Sequence, residues 1–369
     1  MKKLFPMGKV LLILLLPAAI LLINIAALSP ALVERIYARG FYFAVSQAIS
    51  FLAGWAPFSL VELVIVAFII FAVALIVKAV VKLVKAPSGR GRLILGYLLS
   101  AFAFVSAVYF LFVITFDLNY QRLPFGQIAG LDVRPATVDE LYNTCESLAK
   151  HAGMLRTKVE EDPDGVMKLS ESRTDIFRDA SKGYEAATGE YPVLGGAYSR
   201  PKGVVLSRAM TLAGFQGIHS PLTQEANVNT EISDCMIPST ACHEMAHQRG
   251  FAREDEANFI SFLTCSRNPD VDFQYSGVLL ALIHSMNALY GADKEKFTQI
   301  YKEYDPGIVR DLSADSKFWR QFKGPVESIS NTLNDAYLKA NKQPDGVKSY
   351  GRMVDLLIAQ YRKYGPAGL

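Results

Sequence analysis

Apolar residues follow two regimes along this chain. As far as about residue 116 they form three nearly unbroken runs, 10–28, 60–77 and 93–116; beyond it they recur at helical spacing among polar positions. Each run is about the length that crosses a hydrocarbon layer of roughly 30 Å as a helix, and the second carries only Glu62, near its start. The pattern predicts a membrane domain over 1–116 with three transmembrane helices, and a separate domain over 117–369. A cleaved signal is the alternative reading of the first run, because Lys2, Lys3 and Lys9 precede it and Ala26, Ala27 and Ser29 follow. The run is long for a signal core.

Between the first two runs, "ALVERIYARGFYFAVSQAISFLAGW" (31–55) mixes apolar and polar residues at roughly helical spacing and ends in Trp55. It predicts a helix lying on or dipping into the interface, to which no chemistry is assigned.

Beyond 117, helical periodicity is clear in "TVDELYNTCESLAKHAGMLRTKVEE", "SRTDIFRDASKGYEAA" and "GVLLALIHSMNALYG". Residues 190–237 are rich in Gly, Pro, Thr and Val. There "GVVLS" and "QEANVNTEI" predict short strands separated by the turns "YSRPKG" and "HSPLTQ". The outer domain is therefore expected to be mainly helical with a small sheet, an α+β arrangement.

Charge sets an orientation. The loop "KAVVKLVKAPSGRGR" carries Lys78, Lys82, Lys85, Arg90 and Arg92 and no acid, so it is expected in the cytoplasm together with the N-terminus. Three crossings then put 117–369 outside. The net charge of +3 is too small to argue for nucleic acid. Cys145, Cys235, Cys242 and Cys265 permit up to two disulfides, and no pair has C-x-x-C metal spacing.

The chemistry concentrates in "ACHEMAHQRGFAREDEANF", which holds two of the five histidines. Pro238 with Ser239 or Thr240 marks a helix start and Gly250 an end, and a second helix would begin at once after it. Residues four apart share a helical face, so His243 and His247 can present two imidazoles to one zinc ion, with Glu244 beside them as general base. Zinc wants a third ligand. Glu254 is expected to supply it, with Glu256 as the alternative; Asn258, four residues beyond Glu254, would orient a liganding imidazole through its side-chain carbonyl. His219 and His284 are expected to be structural. In "NYQRLPF", Tyr120 and Arg122 are expected at headgroup level.

This pattern resembles the gluzincin metallopeptidases, whose third ligand is a Glu on the next helix with an acid four positions later. The chain departs from them in having Asn258 at that place and only six residues between His247 and Glu254. A longer resemblance, carried by the three spans, "FDLNYQRLP", "GIHSPLTQEANVN", "CHEMAHQRGFAREDEANF" and "DGVKSYGRMVDLL", is to DUF3810, a family of bacterial membrane proteins of uncharacterised function generally placed with the zincin-type peptidases. The zincin likeness implies that "QEANVN" holds an edge strand pairing with an extended substrate through Glu225, Ala226, Asn227, Val228 and Asn229, the alternative being a core strand. It also implies an oxyanion donor in "DGVKSYGRMVD", for which Tyr350 is the candidate, the alternative being a tyrosine buried at a helix start.

The expected protein is a multi-pass bacterial cell-membrane zinc metallopeptidase with a zincin-like outer domain, acting on protein or peptide substrates at the outer face. A zincin-domain sensor and a non-catalytic, metal-stabilised scaffold are the alternatives. Oligomeric state is not readable from the sequence.

Overall fold

The computed structural model describes residues 6–341, 343 and 345–369; Lys2 and Lys3 lie outside them. Among the described residues three helices are long and apolar enough to cross a membrane: Met7–Ala26, Leu60–Lys85 and Arg90–Thr115. The first and third pack on each other, with Ala19, Val113 and Leu118 buried between them. The second runs to Lys85 rather than stopping at 77. Lys78, Lys82 and Lys85 can lay their alkyl stems along the helix while their ammonium groups reach water, and positive charge suits a helix C-terminus.

The interfacial stretch is helical throughout, as a π-helical segment Val33–Tyr42 continued by an α-helix Phe43–Gly54. Small and polar residues recur at every fourth place, and Glu34, Ala38, Tyr42, Ser46 and Ser50 are all buried. They face the large domain. Ser46 Oγ lies 3.1 Å from the Tyr198 hydroxyl, Ser50 Oγ lies 2.9 Å from Ser199 Oγ, and Lys202 Nζ donates to the Ala53 carbonyl at 2.7 Å. The other face is apolar and bare, with Phe51 62%, Leu52 67% and Trp55 77% exposed. The stretch is therefore a two-faced clamp across the large domain.

The domain that follows is mostly helical. Thr137 and Glu140 form a capping box at the head of Val138–Arg156, and Ser172 caps Arg173–Thr188. At the centre lie Ile237–Gln248 and Glu254–Arg267, packed on each other and on Val271–Ala292. Ala241, Met245, Ala246, Phe259, Leu263 and Leu279 are buried there.

Two small sheets complete the fold. A hairpin pairs β1 (Glu160–Glu161) with β2 (Met167–Lys168). A second sheet has the order β3 (Lys202–Gly203), β5 (Glu225–Val228), β4 (Gly217–Ser220); β3 is parallel to β5 and β4 antiparallel to it. Two sequence expectations fail here. Of "GVVLS" only Gly203 is in a strand, because a helix already starts at Ser207. The expected turn "HSPLTQ" contributes His219 and Ser220 to β4, whose Gly-Ile-His-Ser composition carries almost no strand signal.

The sheet also anchors the second membrane helix. No side chain of that helix's own flank caps it. The fully buried Glu225 carboxylate does so instead, accepting the Leu60 and Val61 N–H groups at 3.0 Å each and the Lys202 ammonium at 2.5 Å. Glu62 returns the bond by accepting from the Val205 and Leu206 N–H groups. Removing one partner of a buried ion pair strands the other. Glu225→Ala should therefore lower unfolding stability by about 3–5 kcal/mol, read as a fall in the thermal midpoint of the detergent-solubilised protein.

Candidate metal centre

The helix Ile237–Gln248 opens on a 3-10 turn, Asp234–Met236, with Pro238 in its first turn. The start lies where Pro238 with Ser239 or Thr240 marks it, and both hydroxyls donate back to the Met236 carbonyl, at 3.1 and 2.8 Å. Its other end also follows expectation. Gly250 has φ 77°, a left-handed conformation, and an added Cβ would sit 2.8 Å from both Asn119 Oδ1 and the Tyr42 ring. The chain reverses at Gly250, and Glu254 starts the next helix.

That reversal brings three donor atoms together. His243 Nε2 and His247 Nε2 are 3.1 Å apart, and Glu254 Oε2 lies 3.2 and 3.5 Å from them. Among the described residues these three form the group that could hold a metal ion. The other ring nitrogens are already engaged. His243 Nδ1 lies 2.8 Å from Asn258 Oδ1, and His247 Nδ1 lies 2.7 Å from the Phe251 carbonyl oxygen. Both partners accept, so each Nδ1 carries a hydrogen and each Nε2, the nitrogen left for a metal or an added proton, faces the other. Asn258 is itself held by donating to the Tyr350 carbonyl at 3.1 Å.

Burial alone would push the His247 imidazole down, but the Glu254 carboxylate against it outweighs burial and holds it up at about 9. Burial likewise opposes Glu254, and the two histidines outweigh it, holding the carboxyl down at about 2. Glu244 is different. Burial, seconded by Glu254, pushes its carboxyl up against the pull of His243, His247 and the His219 backbone N–H. Its Oε2 is buried with no hydrogen-bond partner among the described residues.

Glu256 points elsewhere. Its carboxylate accepts the Phe125 N–H at 2.8 Å, and burial, then the Asp255 charge, push it up to about 7. Tyr350, on a 3-10 turn over Gly346–Arg352, sets its ring 6.5 Å from the His243 ring at 19°. Burial and the Glu254 charge hold its phenol well above the ordinary value. His243, Glu244 and Tyr350 line two adjoining cavities of about 350 and 280 Å³.

The substrate-strand expectation is overturned. β5 is the middle strand, paired on both sides, so its backbone is not free to take a peptide. Glu225 caps the membrane helix, Ala226 and Val228 are core, and Asn227 and Asn229 spend their amides on the Ile218 and Phe215 carbonyls. The strand beside the cleft is β4, where Gly217 lies so close to Glu244 that an added Cβ would fall 2.5 Å from its Oε1. A glycine before two unremarkable residues was the only sign of it.

Tyr120 and Arg122 are also not where headgroup anchors belong, since both are buried. Arg122 makes a two-pronged ion pair with Glu34, at 2.8 and 2.9 Å, and donates to the Arg249 and Gly250 carbonyls at 3.2 and 3.0 Å. The Tyr120 hydroxyl meets that of Tyr337 at the cleft wall. His219 and His284 line the cleft, and burial, with smaller pressure from the site histidines, holds them down at about 3 and about 4, neutral at physiological pH. All four cysteines are free and buried.

Residues 37–358 match a family described as Protein of unknown function (DUF3810). The chain belongs to that family. No curated protein and no solved structure matches it. The DUF3810 match begins inside the clamp, ahead of Tyr42, and takes in every residue of the cluster, while the first membrane helix lies outside it. Tyr42 ties these parts of DUF3810 together. Its buried hydroxyl lies 3.1 and 3.2 Å from the His247 and Gln248 carbonyls, at the end of the motif helix. Tyr42→Phe should cost about 1–2 kcal/mol of stability, measured by thermal unfolding, because the ring stays and only the hydrogen bond goes.

Proposed function

We propose that this DUF3810 chain is a membrane-anchored zinc metallopeptidase that hydrolyses peptide bonds of protein or peptide substrates at the outer membrane face. The observation that carries this reading is the mutual spacing of His243 Nε2, His247 Nε2 and Glu254 Oε2, 3.1–3.5 Å. Ligands about 2.0–2.1 Å from one ion at tetrahedral angles are about 3.3–3.4 Å apart. The donor set of two imidazoles and one carboxylate suits zinc and leaves a fourth position for water. Two imidazole nitrogens facing each other beside a buried carboxylate oxygen are also costly unless positive charge sits among them.

Zinc, when bound there, supplies a Lewis acid that brings the pKa of its water to about 7. The remaining work falls to the chain. His243 and His247 are held in the metal-binding tautomer by Asn258 and Phe251. Glu244 keeps an unpartnered oxygen at the cleft, where it takes a proton from the attacking water and returns it to the leaving amine. The outer edge of β4 offers its backbone to an extended peptide, and the absence of a side chain at Gly217 lets that edge approach Glu244. The Tyr350 hydroxyl donates to the carbonyl oxygen as it gains negative charge. Lys78, Lys82, Lys85, Arg90 and Arg92 keep the loop between the second and third membrane helices in the cytoplasm, which sets this site outside.

Elemental analysis of the purified protein should find one zinc per chain in the wild type and in Glu256→Gln, and none in Glu254→Gln. Glu244→Gln should keep the zinc and abolish hydrolysis of a peptide library. Activity retained in that variant would overturn the mechanism and leave a metal-stabilised scaffold. Gly217→Ala should keep both fold and zinc while swinging the Glu244 carboxylate aside, at a cost of about 10²-fold in kcat/KM, since an error of about 1 Å in placing a catalytic group has that effect.

A further inference from the structure

We propose that the peptide reaches this site from within the bilayer, so that the substrates are membrane-anchored polypeptides cleaved just outside their apolar segment. The inference rests on the peptidase reading and narrows its substrate class.

The site lies at the very end of a membrane helix. Phe116 directly follows Arg90–Thr115, and its ring is 6.2 Å from that of His247. Beside it, a groove of about 490 Å³ opens between the second and third membrane helices and the loop joining β4 to β5. Its walls are carbon: Val61 and Ile65 from one helix, Val105 and Val108 from the other, Pro221 and Leu222 from the loop. It adjoins the site. Phe112, Ile218, His219 and Pro221 line both this groove and the cavity that contains His247 and Glu254, so only these shared side chains stand between the apolar groove and the metal-binding atoms.

The manner in which the helices are held keeps the groove open. Leu60–Lys85 has no buried residue and is fixed by its first turn, through Glu225 and Glu62; beyond that turn it touches the third helix sparsely, as where Phe68 stacks on Phe104 at 6.0 Å. The clamp meanwhile presents Phe51, Leu52 and Trp55 outward at the level where such residues seat in a membrane interface. A peptide lying along the outer edge of β4 runs past Ile218, which is 49% exposed and also walls the groove. One end of such a peptide therefore continues into the layer between the two helices. A water-soluble peptide has no segment to bury there; a polypeptide emerging from a transmembrane span does.

The test uses the full chain in proteoliposomes with Glu244→Gln in place, so that binding is read apart from hydrolysis. A benzophenone side chain is placed at Val108, in the groove, or at Leu75, on the exposed face of the second helix. The probes are two biotinylated pools: an apolar span of about twenty residues carrying a randomised outer stretch, and the same stretch without the span. Labelling of the span-bearing pool from position 108 should exceed that of the span-less pool, and that from position 75, by about tenfold. Equal labelling of both pools, or no excess over position 75, would overturn the proposal and leave the groove to ordinary lipid. Hydrolysis by the zinc-loaded wild type is measured on the same pools. If it cuts neither, the peptidase reading falls whatever the labelling shows; if it cuts both equally, that reading stands and the route from the bilayer falls. Ile65→Trp, which fills the groove away from the donor atoms, should keep its zinc and lose about tenfold on the span-bearing pool.

Discussion

The left-handed turn at Gly250 is the constraint on which the rest of this structure depends. A helix that carries two histidines on one face can offer a metal two ligands; a third must come from another element. Here only six residues separate His247 from Glu254, so the chain has to reverse at once. Gly250 allows it, and the reversal places the Phe251 carbonyl where it fixes the His247 ring. No side chain larger than hydrogen fits between Gly250, Tyr42 and Asn119. The turn is held from behind by Arg122, whose guanidinium serves the Arg249 and Gly250 carbonyls while paired with Glu34. The position of Glu254 is thus set partly by residues that the chain places between its first and second membrane helices and after its third.

This explains what could and could not be read from the sequence. The membrane helices were legible because long apolar runs have one economical solution in a bilayer. The motif helix, its glycine stop and the next helix were legible because local signals specify them. His243, His247 and Glu254 could be grouped in advance, since helical spacing and one short turn leave few ways to arrange them. The contributions of the clamp were not legible. Glu34, Tyr42 and Ser46 read as the polar side of an amphipathic helix, and nothing local says that this side faces protein instead of water. The roles of Arg122 and Tyr120 were misread for the same reason: beside an apolar run, an aromatic and an arginine suggest the headgroup layer, and only the tertiary fold shows them covered.

The sheet was the least legible part. Four-residue strands containing glycine, histidine and asparagine have little intrinsic preference for extended structure, so their order rests on contacts made elsewhere. Glu225 is the instructive case. In "QEANVN" it resembles a substrate-facing residue, yet its carboxylate is spent on Lys202 and on two amide groups at the start of a membrane helix. A buried charge of that kind belongs to architecture, because satisfying three donors leaves it little capacity to accept from a ligand.

The same bonds link architecture to chemistry. Glu225 lies in β5, β5 holds β4, and β4 brings Gly217 against Glu244. The cap on the second membrane helix and the placement of the proposed general base therefore share one short sheet. A tilt of that helix in the bilayer cannot be absorbed by a flexible linker, since Leu60 and Val61 bond directly to the sheet. It must instead be taken up where the helix has no buried residue and few contacts, beyond its first turn, which is where the apolar groove lies. The rigid end of the helix protects the geometry of Glu244, and the loose remainder leaves room for an apolar segment to lie beside it.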